Sequence, residues 1–211
     1  MQRTLGRTAA LVSIAASAYF LVAAIAAQAF NPQYDFYRDY ISDYAVGPLG
    51  WIYGSAFWAS CVGCIALALA LRQSVPPAAL SRVGVVLLGV VGLTYAVDYV
   101  FPTDILPPGA PPKTLIGLIH LLDALVGWVL FVISALLLSR PLGNAAYWKP
   151  WRAALTGRAW LSLALLIALV AVVVSRAPFG GLAEKAFILE RNVWALVFAT
   201  LAFKSPRAVA K

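Results

Sequence analysis

T-L-I-G-L-I-H-L-L-D-A-L-V-G-W-V-L-F-V-I-S-A-L-L-L, residues 114–138, decides the class of fold. A helix needs about 20 apolar residues to cross ~30 Å of hydrocarbon. This run is longer than that, and only His120 and Asp123 in it can ionise. Working outward from it, similar windows lie at about 8–30, 51–71, 83–101, 159–175 and 182–203. The third carries Asp98, and the sixth carries Glu184, Lys185, Glu190 and Arg191 in its first half. Residues 192–203 alone are too few to span, so the sixth helix must recruit that charged stretch.

The whole chain follows the same pattern. Its 211 residues, 22.5 kDa, are 63% hydrophobic and 11% charged, with a mean hydropathy of +0.87. A soluble domain is typically ~25% charged. This composition excludes a soluble enzyme, a disordered protein and a nucleic-acid-binding domain. The reading is an all-α polytopic membrane helix bundle: one integral domain over 1–211, six transmembrane helices and a short interfacial helix.

Orientation follows from lysine and arginine in short loops. Arg3, Arg7, Arg72, Arg82, Arg140, Lys149, Arg152, Arg158, Lys204, Arg207 and Lys211 fall on one face, eleven of the 16 cations. That face is expected to be cytoplasmic, with both termini inside. Arg38, Lys113, Arg176, Lys185 and Arg191 fall on the other side, and so do all eight acids. The net charge of +8 therefore describes orientation and calls for no nucleic acid.

Arg3, Arg7, the apolar run and Ala27-Gln28-Ala29 share features with a signal peptide. The run of about 20 residues exceeds the ~7–15 of a signal core, so an uncleaved first span is expected. Cys61 and Cys64 stand as C-V-G-C inside the second span. A membrane redox pair would want a second cysteine pair, so these thiols are read as small packing residues. No Cys/His cluster has zinc-ligand spacing and no glycine loop cradles phosphate, so neither metal nor cofactor is expected.

After the first span comes Y-D-F-Y-R-D-Y-I-S-D-Y, residues 34–44. At 100° per residue Tyr37, Tyr40, Ile41 and Tyr44 share one face, with Asp35, Asp39 and Asp43 roughly opposite. The spacing predicts a short helix on the outer surface, ended by Gly47-Pro48, with its tyrosines at the membrane–water boundary. The three aspartates read either as a cation site of the calcium type or as a solvated face tempered by Arg38.

Ionisable groups inside spans are costly and normally face the protein interior. At 1.5 Å per residue Asp98 lies about 5 Å from the outer end of its helix, and His120 and Asp123 lie roughly 9 and 13 Å deep. Glu190 and Arg191 fall at similar depth. Gly117, His120, Asp123, Ala124 and Gly127 share one face of the fourth helix, while Leu115, Leu118, Leu122, Leu125 and Val129 share the other. Small residues mark a helix contact and leucines suit lipid, so His120 and Asp123 are expected to point inward. Thr94 and Tyr95 share the face of Asp98. Arg191 is the expected counter-ion for Asp98 or Asp123. His120 with an adjacent aspartate reads as an acid/base pair, and the alternative is a satisfied polar network that fixes helix register.

Arg38–Tyr44 (R-D-Y-I-S-D-Y), Phe101–Asp104 (F-P-T-D), His120 early in the fourth helix and Gly181–Lys185 (G-L-A-E-K) occur in order across the six spans. With these motifs the chain resembles the "domain of unknown function 998" family. That resemblance implies a bacterial multi-pass membrane protein and supplies no activity; the inner membrane, with both termini cytoplasmic, is the expected location. The family pattern closes its last motif with Arg, where this chain has Lys185; Arg191 is the nearby substitute.

The leading functional expectation is an outward-facing polar pocket that binds or acts on a lipid or other amphiphile at the outer leaflet. His120, Asp98 and Asp123 are its candidate catalytic residues. Arg38, Asp39, Ser42, Asp43, Asp104, Glu184, Glu190 and Arg191 are its candidate ligand-binding residues, and membrane lipids are the expected partners. A second expectation is an accessory subunit of a larger membrane complex, supported by the small-residue spacings Ser13/Ser17 and Ala56/Ser60/Cys64. A proton-coupled transporter is third, although broken midplane helices and symmetric halves are not evident.

Overall fold

A computed structural model describes residues 2–47, 49–107 and 110–206, with side chains from residue 4. Pro48, Arg207 and Lys211, used in the sequence reading, lie outside the described residues, as does the side chain of Arg3. Six helices are long and apolar enough to cross a membrane. They are α1 (Gln2–Phe30), α2 (Gly50–Ser74), α3 (Arg82–Val100), α4 (Leu115–Ser139), α5 (Arg152–Val174) and α6 (Gly180–Lys204). Among the described residues there is no strand.

The helices close a ring in chain order, with α6 returning to α1 and α2 also meeting α6 across the middle. The connections at 31–49, 101–114 and 175–179 share one end of the bundle. All of the loop aspartates lie there, and it is called the acid-rich end below. The connections at 75–81 and 140–151 form the basic end.

Local chemistry sets the helix boundaries. Ser81 caps α3 by accepting from the Gly84 amide at 3.1 Å, and Thr114 caps α4 by accepting from the Gly117 amide at 2.9 Å. Helix α5 begins at Arg152, earlier than residue 159 where the sequence places the fifth span. R-A-A-L-T-G-R contains good helix formers, and charge alone does not end a helix.

Where helices meet closely, glycine permits it. A β-carbon on Gly92 of α3 would stand 3.0 Å from the Cys61 carbonyl and 3.2 Å from the Cys64 β-carbon. Both thiols are free and serve as small packing residues in α2. Helices α4 and α6 instead touch through large rings. Trp128 and Phe131 of α4 pack on Phe187 of α6 at 5.7 and 6.3 Å, and Phe131 meets Trp194 at 5.4 Å. Such spacing leaves room between their backbones. The burial pattern of α4 follows the sequence expectation: Gly117, His120, Ala124 and Gly127 are buried, whereas Leu115, Leu118, Leu122 and Val129 are exposed.

Residues 34–44 depart from the expected helix. They form turns, and only Ile41–Ala45 is helical, as one 3-10 turn. The aspartates explain this, because their side chains compete for local amides. Asp35 Oδ1 accepts from the amides of Tyr37 and Arg38 at 2.8 and 2.9 Å, and Asp39 Oδ2 accepts from the Asp35 amide at 2.7 Å. Asp43 Oδ2 takes the Tyr40 amide at 3.0 Å. The three carboxylates therefore form neither one solvated stripe nor one cluster. Asp43 is buried while Asp35 is exposed.

Candidate functional site

The covering loop is fastened to the first turns of α6. Free amides at a helix start seek acceptors, and here Gly181 N–H donates to the Arg38 carbonyl at 3.2 Å and Leu182 N–H to that of Tyr37 at 3.0 Å. A β-carbon on Gly181 would meet the Asp39 and Arg38 backbone, which is why glycine stands there. Glu184 Oε2 accepts from the Ile41 amide at 2.6 Å. Lys185 Nζ donates to the carbonyls of Phe36, at 3.0 Å, and Asp39, and lies 5.2 Å from the Phe36 and Tyr44 ring centres. The Tyr44 hydroxyl bonds the Gln28 carboxamide of α1. G-L-A-E-K thus holds R-D-Y-I-S-D-Y over the bundle, and Lys185 is the cation of that motif that reaches the loop. Burial in this cover, with the nearby Asp39 charge, pushes the Asp43 carboxyl up to about 7 against the pull of the Tyr40 amide and Lys185.

F-P-T-D supplies the second clamp. Asp104 Oδ2 accepts from the amides of Lys113 and Thr114 at 2.8 and 2.9 Å, and Oδ1 from the Thr114 hydroxyl at 2.7 Å. The Thr114 bonds, with those of Lys113, hold this carboxylate below the usual range. A β-carbon on Gly117 would stand 2.5 Å from the Asp104 carboxyl carbon, so the clamp also requires that glycine.

Beneath the cover lies His120, which is buried. Its Nδ1 is 2.9 Å from the Phe101 carbonyl and 3.5 Å from Asp98 Oδ1. A carbonyl only accepts, so the neutral ring carries its proton on Nδ1 and keeps a lone pair on Nε2. Asp123 stands beside Asp98, and one oxygen of each carboxyl is buried without a hydrogen bond among the described residues.

Two cavities meet at His120. The larger, about 520 Å³, has a polar end at Tyr40, Ser42, Asp104, His120 and Glu184. From there it follows an apolar wall between α4 and α5 built from Leu121, Leu125, Trp128, Leu169, Val170 and Val173. The smaller, about 20 Å³, lies deeper and is bounded by Ser42, Asp98, His120, Glu184 and Arg191.

Ser42, Asp98, Asp104, His120, Glu184 and Arg191 thus line one cavity or the other, and Asp123 adjoins through Asp98. Arg38, Asp39, Asp43 and Glu190 line neither. Arg191 departs from its expected pairing. Among the described residues it makes no ion pair with Asp98 or Asp123 and stacks on the Tyr95 ring of α3 at 4.5 Å. Glu190 points the other way and is paired with Arg158 at 2.7 Å. Arg158 lies inside α5 and not in the loop where the sequence reading counted it, so these two charges are not on opposite sides. Consecutive helical residues diverge by ~100°, so equal depth does not give equal direction. Tyr40, Trp128 and Arg176 also line the larger cavity; the sequence reading had Tyr40 only as a boundary tyrosine and did not name Trp128. Arg176 had one signal, as a lone cation between spans five and six.

The profile of the family described as "Protein of unknown function (DUF998)" matches residues 14–201. The chain belongs to this family. No curated protein and no solved structure matches it. In this DUF998 protein the stretches that carried the resemblance meet at one end of the bundle. R-D-Y-I-S-D-Y and G-L-A-E-K bind each other, F-P-T-D bonds the start of α4, and His120 bonds the first residue of F-P-T-D.

Proposed function

We propose that this DUF998 protein takes up an amphiphile from the membrane leaflet at its acid-rich end. The polar part lies against Ser42, His120 and Glu184, and the apolar part follows the wall between α4 and α5. One observation carries this reading: a single volume of about 520 Å³ joins buried polar groups to exposed-edge apolar ones. That size falls within the ~300–1,000 Å³ of ligand pockets. The wall opens between two spans, where lipid chains are the available occupant. The lysine and arginine distribution orients the acid-rich end outward, with both termini in the cytoplasm.

In this reading His120 is also a general base. Its Nε2 lone pair takes the proton while Nδ1–H donates to the Phe101 carbonyl, and Asp98, 3.5 Å from Nδ1, stabilises the imidazolium that forms. Reaction at a bound hydroxyl or water is the chemistry such a group supports.

The test is native mass spectrometry of protein released from lipid nanodiscs. Leu125→Trp, which fills the apolar wall, should lose the bound lipid and keep its melting temperature. His120→Gln should keep the lipid and lose any turnover of it. Undiminished lipid on Leu125→Trp would overturn the assignment.

A further inference from the structure

The end of α5 is closed by two hydrogen bonds. Ala177 N–H donates to the Val172 carbonyl and Arg176 N–H to that of Val173, both at 3.1 Å. This paired closure requires its middle residue in the left-handed conformation, a place that glycine fills at least cost. Here the residue is Arg176, with φ of 56°, and among the described non-glycine residues no other has positive φ. A strained backbone retained where glycine would serve points to a use for the side chain.

Arg176 also lines the mouth of the larger cavity. Among the described residues its guanidinium has no hydrogen-bond, ion-pair or ring partner. The two carboxylates in that lining, Asp104 and Glu184, are already engaged. Asp104 accepts three hydrogen bonds from Lys113 and Thr114, and Glu184 accepts the Ile41 amide. Lipid headgroups are the groups met past the end of a helix long and apolar enough to cross a membrane, and Arg176 lies two residues beyond Val174, where α5 ends. Its planar fork suits a phosphate, which it can hold by two parallel bonds.

We propose that Arg176 selects the ligand by binding the phosphate of a membrane phospholipid whose chain lies along α5 and α4. This rests on the amphiphile reading above and adds the headgroup class. The strain at Arg176 is then the structural cost of presenting a cation at the mouth of the cavity.

Phosphatidic acid and diacylglycerol with the same chains differ only in the phosphate, so they separate the two claims. Retention of each by the full chain is read by native mass spectrometry from detergent, for wild type, Leu125→Trp, Arg176→Gly and Arg176→Lys. Wild type should retain phosphatidic acid ~10-fold better than diacylglycerol, about the worth of one charge-assisted pair. Arg176→Gly should lose that preference and melt no lower than wild type, because glycine relieves the left-handed position. Arg176→Lys should recover part of the preference. Equal retention of the two lipids by wild type, with both lost in Leu125→Trp, would overturn the phosphate assignment and leave the amphiphile site standing. Retention of neither lipid by wild type would overturn both. Displacement of phosphatidic acid by millimolar inorganic phosphate would overturn a lipid source in favour of the free anion.

Discussion

Gly181→Ala tests the fastening of the cover most directly. A β-carbon at residue 181 would lie 2.8 Å from the Asp39 carbonyl carbon and 2.9 Å from that of Arg38. Ordinary contact for such a carbon begins at 3.4 Å. Both obstacles are backbone and cannot rotate aside, so the loop must lift. Lifting weakens Gly181 N–H to Arg38, Leu182 N–H to Tyr37 and the Lys185 bonds to Phe36 and Asp39. Neutral bonds contribute ~0.5–1.5 kcal/mol each and a charged one ~1.5–3 kcal/mol. Partial accommodation offsets some of that, leaving a local cost of about 2–4 kcal/mol. Gly180→Ala is the internal control. Its β-carbon meets the Tyr40 hydroxyl at 2.9 Å and ring carbons at 3.2 Å, and that side chain can yield. Hydrogen exchange over residues 37–45 in nanodiscs reads the difference. A cost of ~2 kcal/mol speeds exchange roughly 30-fold where local opening controls it. Protection in Gly181→Ala within twofold of wild type, or an equal effect of Gly180→Ala, would refute the close-approach argument.

Three further outcomes follow from the same geometry. Asp43, near 3.9 when unfolded and raised to about 7 in the fold, holds its proton in the native state between those values. Stability therefore falls as pH rises from about 4 to 7, by at most ~4 kcal/mol. Asp43→Asn keeps an acceptor for the Tyr40 amide, so the variant should gain on wild type over that window in detergent-denaturation curves; a pH-independent difference refutes this. Arg158→Ala leaves the Glu190 carboxylate buried without its partner. It should cost roughly 1–3 kcal/mol, discounted because Arg158 is part exposed, and Arg158→Ala/Glu190→Gln should recover most of it; additivity in the double-mutant cycle would count against the pair. Trp194 is fully buried between Phe131 and Phe198, at 5.4 and 4.4 Å. In water such a truncation costs ~3–5 kcal/mol. Separated helices here remain in lipid, so packing alone is lost, and Trp194→Ala should cost about half as much in a bilayer unfolding assay, while a full aqueous value would contradict that account.

The spans were legible because crossing hydrocarbon is a one-dimensional requirement of length and charge. The inward face of α4 was legible for a related reason, since glycine at a period of 3.6 marks where backbones approach. What sequence could not separate was a carboxylate that lines a cavity from one that closes a turn. Asp104 and Asp43 look alike in sequence, yet Asp104 holds Lys113 and Thr114 across a loop and also lines the larger cavity, whereas Asp43 holds Tyr40 three residues back and lines neither. Neither distance has a periodic signature.

Glu190 and Arg191 show the other limit. Depth counting placed both in the membrane, but depth carries no azimuth without knowing which neighbours flank α6. With α5 on one side and α3 across the bundle, Glu190 meets Arg158 and Arg191 meets Tyr95. The Lys185 position follows from the same reasoning. Its task is to reach two backbone carbonyls that converge on one point, from Phe36 and Asp39. A compact ammonium does this with donors on a single nitrogen, whereas a planar guanidinium presents its donors as a fork. Lysine therefore fits a role in which the partner is the loop itself. Arg176, the one cation in the lining of the larger cavity, has no such partner among the described residues, and the partner proposed for it is a ligand in place of a loop.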